Sequence, residues 1–118
     1  MNSNKPYSRL ERINNQIRNI IGDAFIKRIP SSIYGFLTIS KVNVSPDLRK
    51  ADIYYTVFNP EKEKDEINKA INKKRKYFRK ILSSEMTTKN TPELFFFYDD
   101  SLDYEDQLNK IFKKIKNK

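Results

Sequence analysis

Hydrophobic residues recur at helical spacing near the start of the chain and predict a first helix with one apolar face. Ser8 followed by Glu11 matches the capping-box pattern, in which two side chains bond the free amides of a helix start. Pro30 follows the last turn and predicts where the helix ends. The apolar stripe consists of Leu10, Ile13, Ile17, Ile20, Ile21 and Ala24.

Two strands are predicted next, because the hydrophobic period changes to two. Between Gly35 and Val44 the alternation changes phase midway, which predicts a bulge or a sharp twist. The tetrapeptide Ser45-Pro46-Asp47-Leu48 has the composition of a turn. Residues 51–57 then alternate cleanly and predict a second strand, antiparallel to the first.

The middle of the chain predicts a helix that bends. Asn59-Pro60-Glu61 resembles a helix start, with a cap, a first-turn proline and an acid at the positive dipole end. An apolar arc follows, but Lys74 falls near the middle of that arc if the helix is straight. We therefore expect a bend near residues 73–77. The arc consists of Ile67, Ala70, Ile71, Phe78, Ile81 and Leu82.

The last predicted elements are a strand and a helix. Residues 94–98 are apolar at every position, which predicts a third strand covered on both faces, with its direction left open. Asp103 is expected to cap a final helix whose stripe is Tyr104, Leu108, Ile111, Phe112 and Ile115. The order α-β-β-α-(bend)-α-β-α indicates an α+β fold with helices on one face of a three-stranded sheet. Expected core residues include Ile13, Ile17, Leu37, Ile53, Phe78 and Phe96.

Composition removes several classes of chemistry. The chain of 118 residues has room for one domain, with an ordered core expected over about residues 8–115. It contains no cysteine and no histidine, which excludes a disulfide, a thiolate nucleophile, a Cys/His zinc site and a histidine base. Its longest apolar run is too short to span a bilayer, and the N-terminus has no apolar signal core, so a cytoplasmic protein is expected.

Charge is the strongest functional signal in the sequence. The net charge is +9, and seven bases with no acid lie between Ile67 and Ser84. Like charges on one helical face repel, and an anionic partner offsets that cost. This pattern favours nucleic-acid binding over a merely solvated face or an amphipathic helix on a membrane surface. Four of these cations share a stripe opposite the apolar arc, Lys69, Lys73, Lys76 and Lys80, and Arg75 and Arg79 flank it.

Two other motifs receive structural interpretations. Phe95-Phe96-Phe97-Tyr98 has the composition of a base-stacking platform, but a buried strand is favoured because no basic residue lies within it. Asp99 and Asp100 resemble paired carboxylates for metal or acid–base chemistry. Turn and cap roles are favoured for both, since no companion ligand motif or Gly-rich phosphate loop accompanies them. No catalytic residue, cofactor or metal is predicted.

Several landmarks, each weak alone, occur in a characteristic order between about Arg9 and about Ile115. With them the sequence resembles the bacterial ribosome-binding factor A family, small KH-like proteins involved in maturation of the small ribosomal subunit. The landmarks are Arg9-Leu10, Thr38–Val44, Ser45-Pro46-Asp47-Leu48, Ala51–Val57, Phe78-Arg79, Thr91-Pro92-Glu93-Leu94 and Phe97-Tyr98-Asp99-Asp100-Ser101.

The resemblance implies a type II KH-like fold, no enzymatic activity, and binding to precursor 16S rRNA in the small (30S) subunit. The expected partner is the free 30S subunit and not translating ribosomes, with no membrane partner and a monomeric chain. In the family an Ala-x-Gly kink joins the two central helices, and Lys74, Arg75 and Lys76 occupy that place here. The predicted RNA-binding residues are Lys69, Lys73, Lys74, Arg75, Lys76, Arg79 and Lys80, with Arg49 and Lys50 as additional candidates.

Two alternative functions stay open at this point. The same charge is compatible with a general basic protein that binds DNA or any polyanion. The segment from Thr91 to Asp106 carries six acids and no base, so it is also a candidate docking surface for a basic ribosomal protein.

Overall fold

The computed structural model describes residues 8–100; the final helix predicted from Asp103 lies outside the described residues. The described chain contains four helices and three strands in the order α-α-β-β-α-α-β. They are α1 (Arg9–Arg28), α2 (Ser31–Tyr34), β1 (Phe36–Val44), β2 (Lys50–Phe58), α3 (Lys64–Lys73), α4 (Arg75–Glu85) and β3 (Glu93–Tyr98).

Helix α1 begins and ends where the sequence predicts. Ser8 is its N-cap, and the Ser8 Oγ accepts a hydrogen bond of 3.1 Å from the Glu11 amide. The helix ends at Arg28, and its C-cap Ile29 stands immediately before Pro30. The single-turn helix α2 was not predicted, because four residues are too few to show a helical period. It ends at Gly35, whose φ of 96° favours glycine.

The sheet order is β1-β2-β3, with β1 antiparallel to β2. The pairing register shifts between Ile39 and Lys41, which confirms the bulge expected from the change of hydrophobic phase. The predicted turn also forms, closed by a hydrogen bond of 2.9 Å from the Leu48 amide to the Ser45 carbonyl. Strand β3 runs parallel to β2, a direction that the sequence left open.

The predicted bend in the central helix is confirmed. Helix α3 ends at Lys73 and α4 begins at Arg75, and between them Lys74 has φ −98° and ψ 14°. The break lets the two helices bury separate apolar faces, so Lys74 is exposed instead of lying inside the arc. The central residues of those faces are Ile67 and Ile71 on α3 and Phe78 and Leu82 on α4.

The helix start predicted at Asn59-Pro60-Glu61 is wrong. Helix α3 begins at Lys64 after the N-cap Glu63. Asn59 has φ 55°, and the Glu61 amide donates to the Tyr34 carbonyl over 3.4 Å. Residues 59–61 therefore form a connection held against the end of α2, and this tertiary contact overrides the local capping signal.

The core lies between the sheet and helices α1, α3 and α4, and an aromatic cluster forms its centre. The rings of Phe25, Phe78 and Phe96 have pairwise centroid distances of 5.5 to 5.8 Å. Five of the six expected core residues are buried, whereas Leu37 is only partly buried near the start of β1. In the part of the chain described here, no helix is long and apolar enough to cross a membrane.

The prediction that the third strand is covered on both faces is wrong. Burial alternates along β3: Leu94 and Phe96 are buried, Phe95 is half-buried and Phe97 is 41% exposed. Among the described elements, α1, α3 and α4 pack on one face of the sheet only, so alternate residues of β3 point away from the core.

Candidate nucleic-acid interface

The two helices that meet at Lys74 present a cationic surface, which we call the basic surface. All seven of its side chains are exposed or half-buried. Within residues 8–100, none of the seven forms an ion pair with an acid. The surface consists of Lys69, Lys73, Lys74, Arg75, Lys76, Arg79 and Lys80.

The helix break places part of this surface at the N-terminus of α4. No side chain caps α4, and its first turn carries no acid. The first amides of an uncapped helix are free donors, and the helix dipole places partial positive charge beside them. Arg75 and Lys76 in that turn add like charge, which is locally unfavourable. Amide donors, a helix dipole and nearby cations are the features by which helix N-termini bind anions.

Lys76 lies between two open depressions. One, of about 800 Å³, follows α3 and the break; its lining contains Lys69, Lys73, Arg75 and Lys76 beside the acid Asp65 and the amides Asn68 and Asn72. The other, of about 1240 Å³, lies between α4, the β1–β2 turn and the segment before β3. Cations from all three elements line the second depression: Arg49, Lys76, Arg79, Lys80 and Lys89.

Two arginines of the basic surface make oriented contacts with β3 and the segment before it. The Arg79 Nη2 and Nε donate to the Thr91 carbonyl oxygen at 2.9 and 3.3 Å. The Arg75 guanidinium carbon lies 5.0 Å from the ring centroid of Phe95, a cation–π distance. These contacts orient both guanidinium groups before a ligand arrives.

The turn between β1 and β2 is held by its own side chains. Asp47 Oδ1 accepts hydrogen bonds from the Ser45 hydroxyl at 2.7 Å and from the Arg49 amide at 3.1 Å. These two hydrogen bonds lower the pKa of Asp47 below its usual value of 3.8. Of the two additional candidates in this region, Arg49 lines the second depression. Lys50 does not line it, and the Lys50 Nζ lies 5.2 Å from the ring centroid of Phe95 on β3.

Asn72 fixes the break against the sheet. Strand β3 is an edge strand of the described sheet, so one side of its backbone is free of other strands. There the Asn72 side chain both donates a hydrogen bond to, and accepts one from, the backbone of a single β3 residue. Its Nδ2 donates to the Phe96 carbonyl at 3.0 Å, and its Oδ1 accepts from the Phe96 amide at 3.1 Å. Neither Asn72 nor Lys89 stands out in the sequence, because only contacts across the fold bring them to the site.

The paired acids at the end of β3 have separate partners. Asp99 Oδ2 accepts a hydrogen bond of 2.7 Å from the Ser40 hydroxyl, at the bulge of β1. Asp100 pairs with Lys64 at 2.8 Å. The described residues contain no group of three or more acids that could hold a metal ion. Both carboxylates therefore contact side chains of other elements, and the turn and cap roles favoured by the sequence stay predictions.

The sequence of elements and the mixed sheet, with β3 parallel to β2, define a KH-like α+β domain whose two central helices meet at a cationic junction. More particularly, the chain belongs to the ribosome-binding factor A family, whose sequence model matches residues 9–112.

Similar proteins support both levels of this assignment. Ribosome-binding factor A of Citrifermentans bemidjiense is 36% identical over 107 residues, which cover 91% of this chain and 90% of the relative. The crystal structure of ribosome-binding factor A from Thermus thermophilus has a TM-score of 0.65 at 17% identity, covering 75% of this chain and 93% of that one. A Thermus thermophilus homology model fitted into a cryo-EM map of a 30S–RbfA complex has a TM-score of 0.63 at 17% identity, covering 80% and 97%.

Proposed function

We propose that this chain is a non-catalytic ribosome assembly factor that binds precursor 16S rRNA in the small subunit and promotes its maturation. Family membership supports ribosome binding. The 30S complex into which the Thermus thermophilus relative was fitted supports the small subunit as the partner. On this proposal the chain acts as a monomer in the cytoplasm, on free small subunits and not on translating ribosomes.

One observation carries the proposal: an uncapped helix N-terminus stands within seven cations that have no acidic partner in the described chain. This concentration of positive charge costs stability in the free protein, and RNA phosphates relieve that cost. The break turns α4 relative to α3, so cations from two directions converge around Lys76.

Recognition through this surface would depend on the RNA backbone and shape. Lysine and arginine contacts to phosphates fix the position of the protein, and RNA helices are recognised mostly by shape and by phosphate and ribose contacts. Arg49 and Lys89 extend the surface across the second depression and widen the span of phosphate that it contacts.

The direct test is the salt dependence of binding to small-subunit rRNA. The test variant is K73Q/K76Q/K80Q, and the matched control R9Q/R12Q/R28Q removes three exposed cations of α1, outside the basic surface. Each neutralised phosphate contributes about 0.7 to 0.9 to the slope of log affinity against log salt. We expect the test variant to lose about two to three units of slope and the control to lose little. Equal slopes for the two variants would show that the basic surface is not the RNA site.

A second measurement addresses the biological partner. We expect the protein in cell extracts to sediment with free small subunits, to be absent from translating ribosomes and to be released at high salt. Sedimentation only at the top of the gradient at both salt concentrations would contradict a ribosomal partner. Equal affinity for duplex DNA and for small-subunit rRNA in competition would instead indicate a general polyanion binder.

A further inference from the structure

The face of the sheet that points away from the helices carries an aromatic pair. We call this the outer sheet face. Tyr54 on β2 and Phe97 on β3 are register partners, and their rings stack with centroids 5.3 Å apart and an interplanar angle of 27°. Phe97 is 41% exposed. A large aromatic ring is therefore accessible beside a second ring that supports it.

Cations flank the aromatic residues of the outer sheet face. The Lys41 Nζ lies 5.9 Å from the ring centroid of Tyr54, so Lys41, Tyr54 and Phe97 form one row across the three strands. Phe95, one outward position before Phe97 on β3, has the Lys50 Nζ at 5.2 Å and the Arg75 guanidinium at 5.0 Å. The aromatic surface thus has positive charge at two ends.

Arg75 connects the outer sheet face to the basic surface. It is the first residue of α4, at the helix break, and its guanidinium reaches the ring of an outward-facing residue of the edge strand. Positive charge consequently continues from the break around the edge of β3. A bound polyanion on the basic surface has a charged route onto the sheet.

Acidic side chains limit where phosphates can lie on this face. Asp52 is the register partner of Phe95, and Glu93 is the register partner of Lys50. Phosphates would be repelled there, so they are expected near Lys41 and Arg75. Phe97 belongs to the same row as Lys41, and Arg75 reaches the ring of Phe95, one outward position away on β3.

We propose that the outer sheet face is a second RNA site, which binds a single-stranded segment by stacking a base on Phe97 with the backbone contacting Lys41 and Arg75. The inference rests on the proposed function, because it extends the same RNA beyond the basic surface. The combination of an exposed ring with flanking cations matches what single-stranded RNA offers, since each nucleotide carries a flat base and a phosphate. Cation–π contacts from lysine and arginine strengthen such a platform.

The test separates stacking from charge. Binding is measured with a short single-stranded RNA and with the same oligonucleotide made abasic, which keeps the phosphates and removes the bases. The test variant is F97L, which keeps an apolar side chain and removes the ring. The matched control is F58L, because Phe58 is also exposed on the outer sheet face but lies about 13 Å along the strand from Tyr54.

We expect F97L to weaken binding of the normal oligonucleotide at least about fivefold, the lower range for one stacked base. Binding of the abasic oligonucleotide and the slope against log salt should stay unchanged, and F58L should bind both like the original protein. F97Y should restore affinity because it restores the ring. A single cooperative melting transition for F97L, as for F97Y, shows that the fold is intact.

Three results would overturn the inference. In the first, F97L binds the normal RNA as tightly as the original protein does. In the second, F97L loses affinity equally for the normal and the abasic oligonucleotide. Alternatively, sedimentation equilibrium shows a dimer that F97L dissociates, which would assign the face to a second copy of the chain. If the original protein binds neither oligonucleotide nor rRNA, the proposed function itself fails. If it binds rRNA and only the F97L effect is missing, the proposed function stands without this second site.

Discussion

Phe96 and Phe97 are neighbours in one apolar run, yet the fold gives them opposite environments. Phe96 is 1% exposed and packs against Phe25 and Phe78, whereas Phe97 is 41% exposed. Replacing each by alanine therefore measures which face of the third strand is buried. The sequence alone does not distinguish the two residues, so the pair tests the tertiary arrangement itself.

The expected magnitudes follow from burial. Truncating a fully buried phenylalanine to alanine costs about 3–5 kcal/mol, and Phe96 in addition loses two aromatic contacts at 5.5 and 5.8 Å. For a domain of this size, each kcal/mol lowers the melting midpoint by about 4–8 °C. Phe96→Ala should lower the midpoint by at least about 12 °C. Phe97→Ala removes a ring that is 41% exposed together with its stacking on Tyr54, and it should cost about 1–2 kcal/mol.

Urea unfolding followed by circular dichroism, together with thermal melting, measures both variants under identical conditions. An unchanged midpoint for Phe96→Ala would refute the register of β3. Equally large losses for both variants would show that the strand is covered on both faces after all.

Three further results are expected from the same unfolding measurements. Gly35→Ala should destabilise the fold by about 1–3 kcal/mol, because φ is 96° there and an added Cβ would lie 2.7 Å from the Asn59 carbonyl oxygen. Gly22→Ala is the opposite case and should stabilise the fold by about 0.5–1 kcal/mol, because Gly22 lies in a helix and the nearest atom to an added Cβ is 3.9 Å away. Burial raises the pKa of the Tyr55 hydroxyl above its usual 10.0, so this tyrosine ionises more easily in the unfolded chain than in the folded one. The free energy of unfolding should therefore fall as the pH rises above about 10, and Tyr55→Phe should make that fall smaller. Asn72→Asp should lower the free energy of unfolding by about 1–3 kcal/mol, because a carboxylate can accept from the Phe96 amide but repels the Phe96 carbonyl oxygen. An unchanged free energy of unfolding would contradict the view that Asn72 holds the helix break against β3.

Much of the fold follows from local patterns. The bulge in β1 was predictable because a strand with period two cannot change phase without an extra residue. The break at Lys74 was predictable because a lysine in the middle of an apolar arc requires the helix to bend or the side chain to reach solvent. Both features depend on residues within one element.

The predictions that were wrong concern places where segments far apart in the sequence meet in the fold. Asn59 has good capping chemistry, but its segment contacts the end of α2 instead of opening a helix. The third strand is apolar throughout, and hydrophobicity alone cannot say which of its faces a helix covers. The roles of Lys89 and Asn72 were not predicted for the same reason. Lys89 matters because it lines the second depression with α4, and Asn72 because it bonds the backbone of β3.

The main α+β order of elements, the cationic character of the central helices and the likeness to a ribosome-binding family are all readable from the amino-acid sequence, because hydrophobic period, charge and short motifs are local properties of the chain. The parallel direction of β3, the meeting of Arg49 and Lys89 with α4, and the exposure of Phe97 become visible in the folded chain. Those outcomes depend on which surfaces pack together, and packing is set by contacts between residues far apart in sequence.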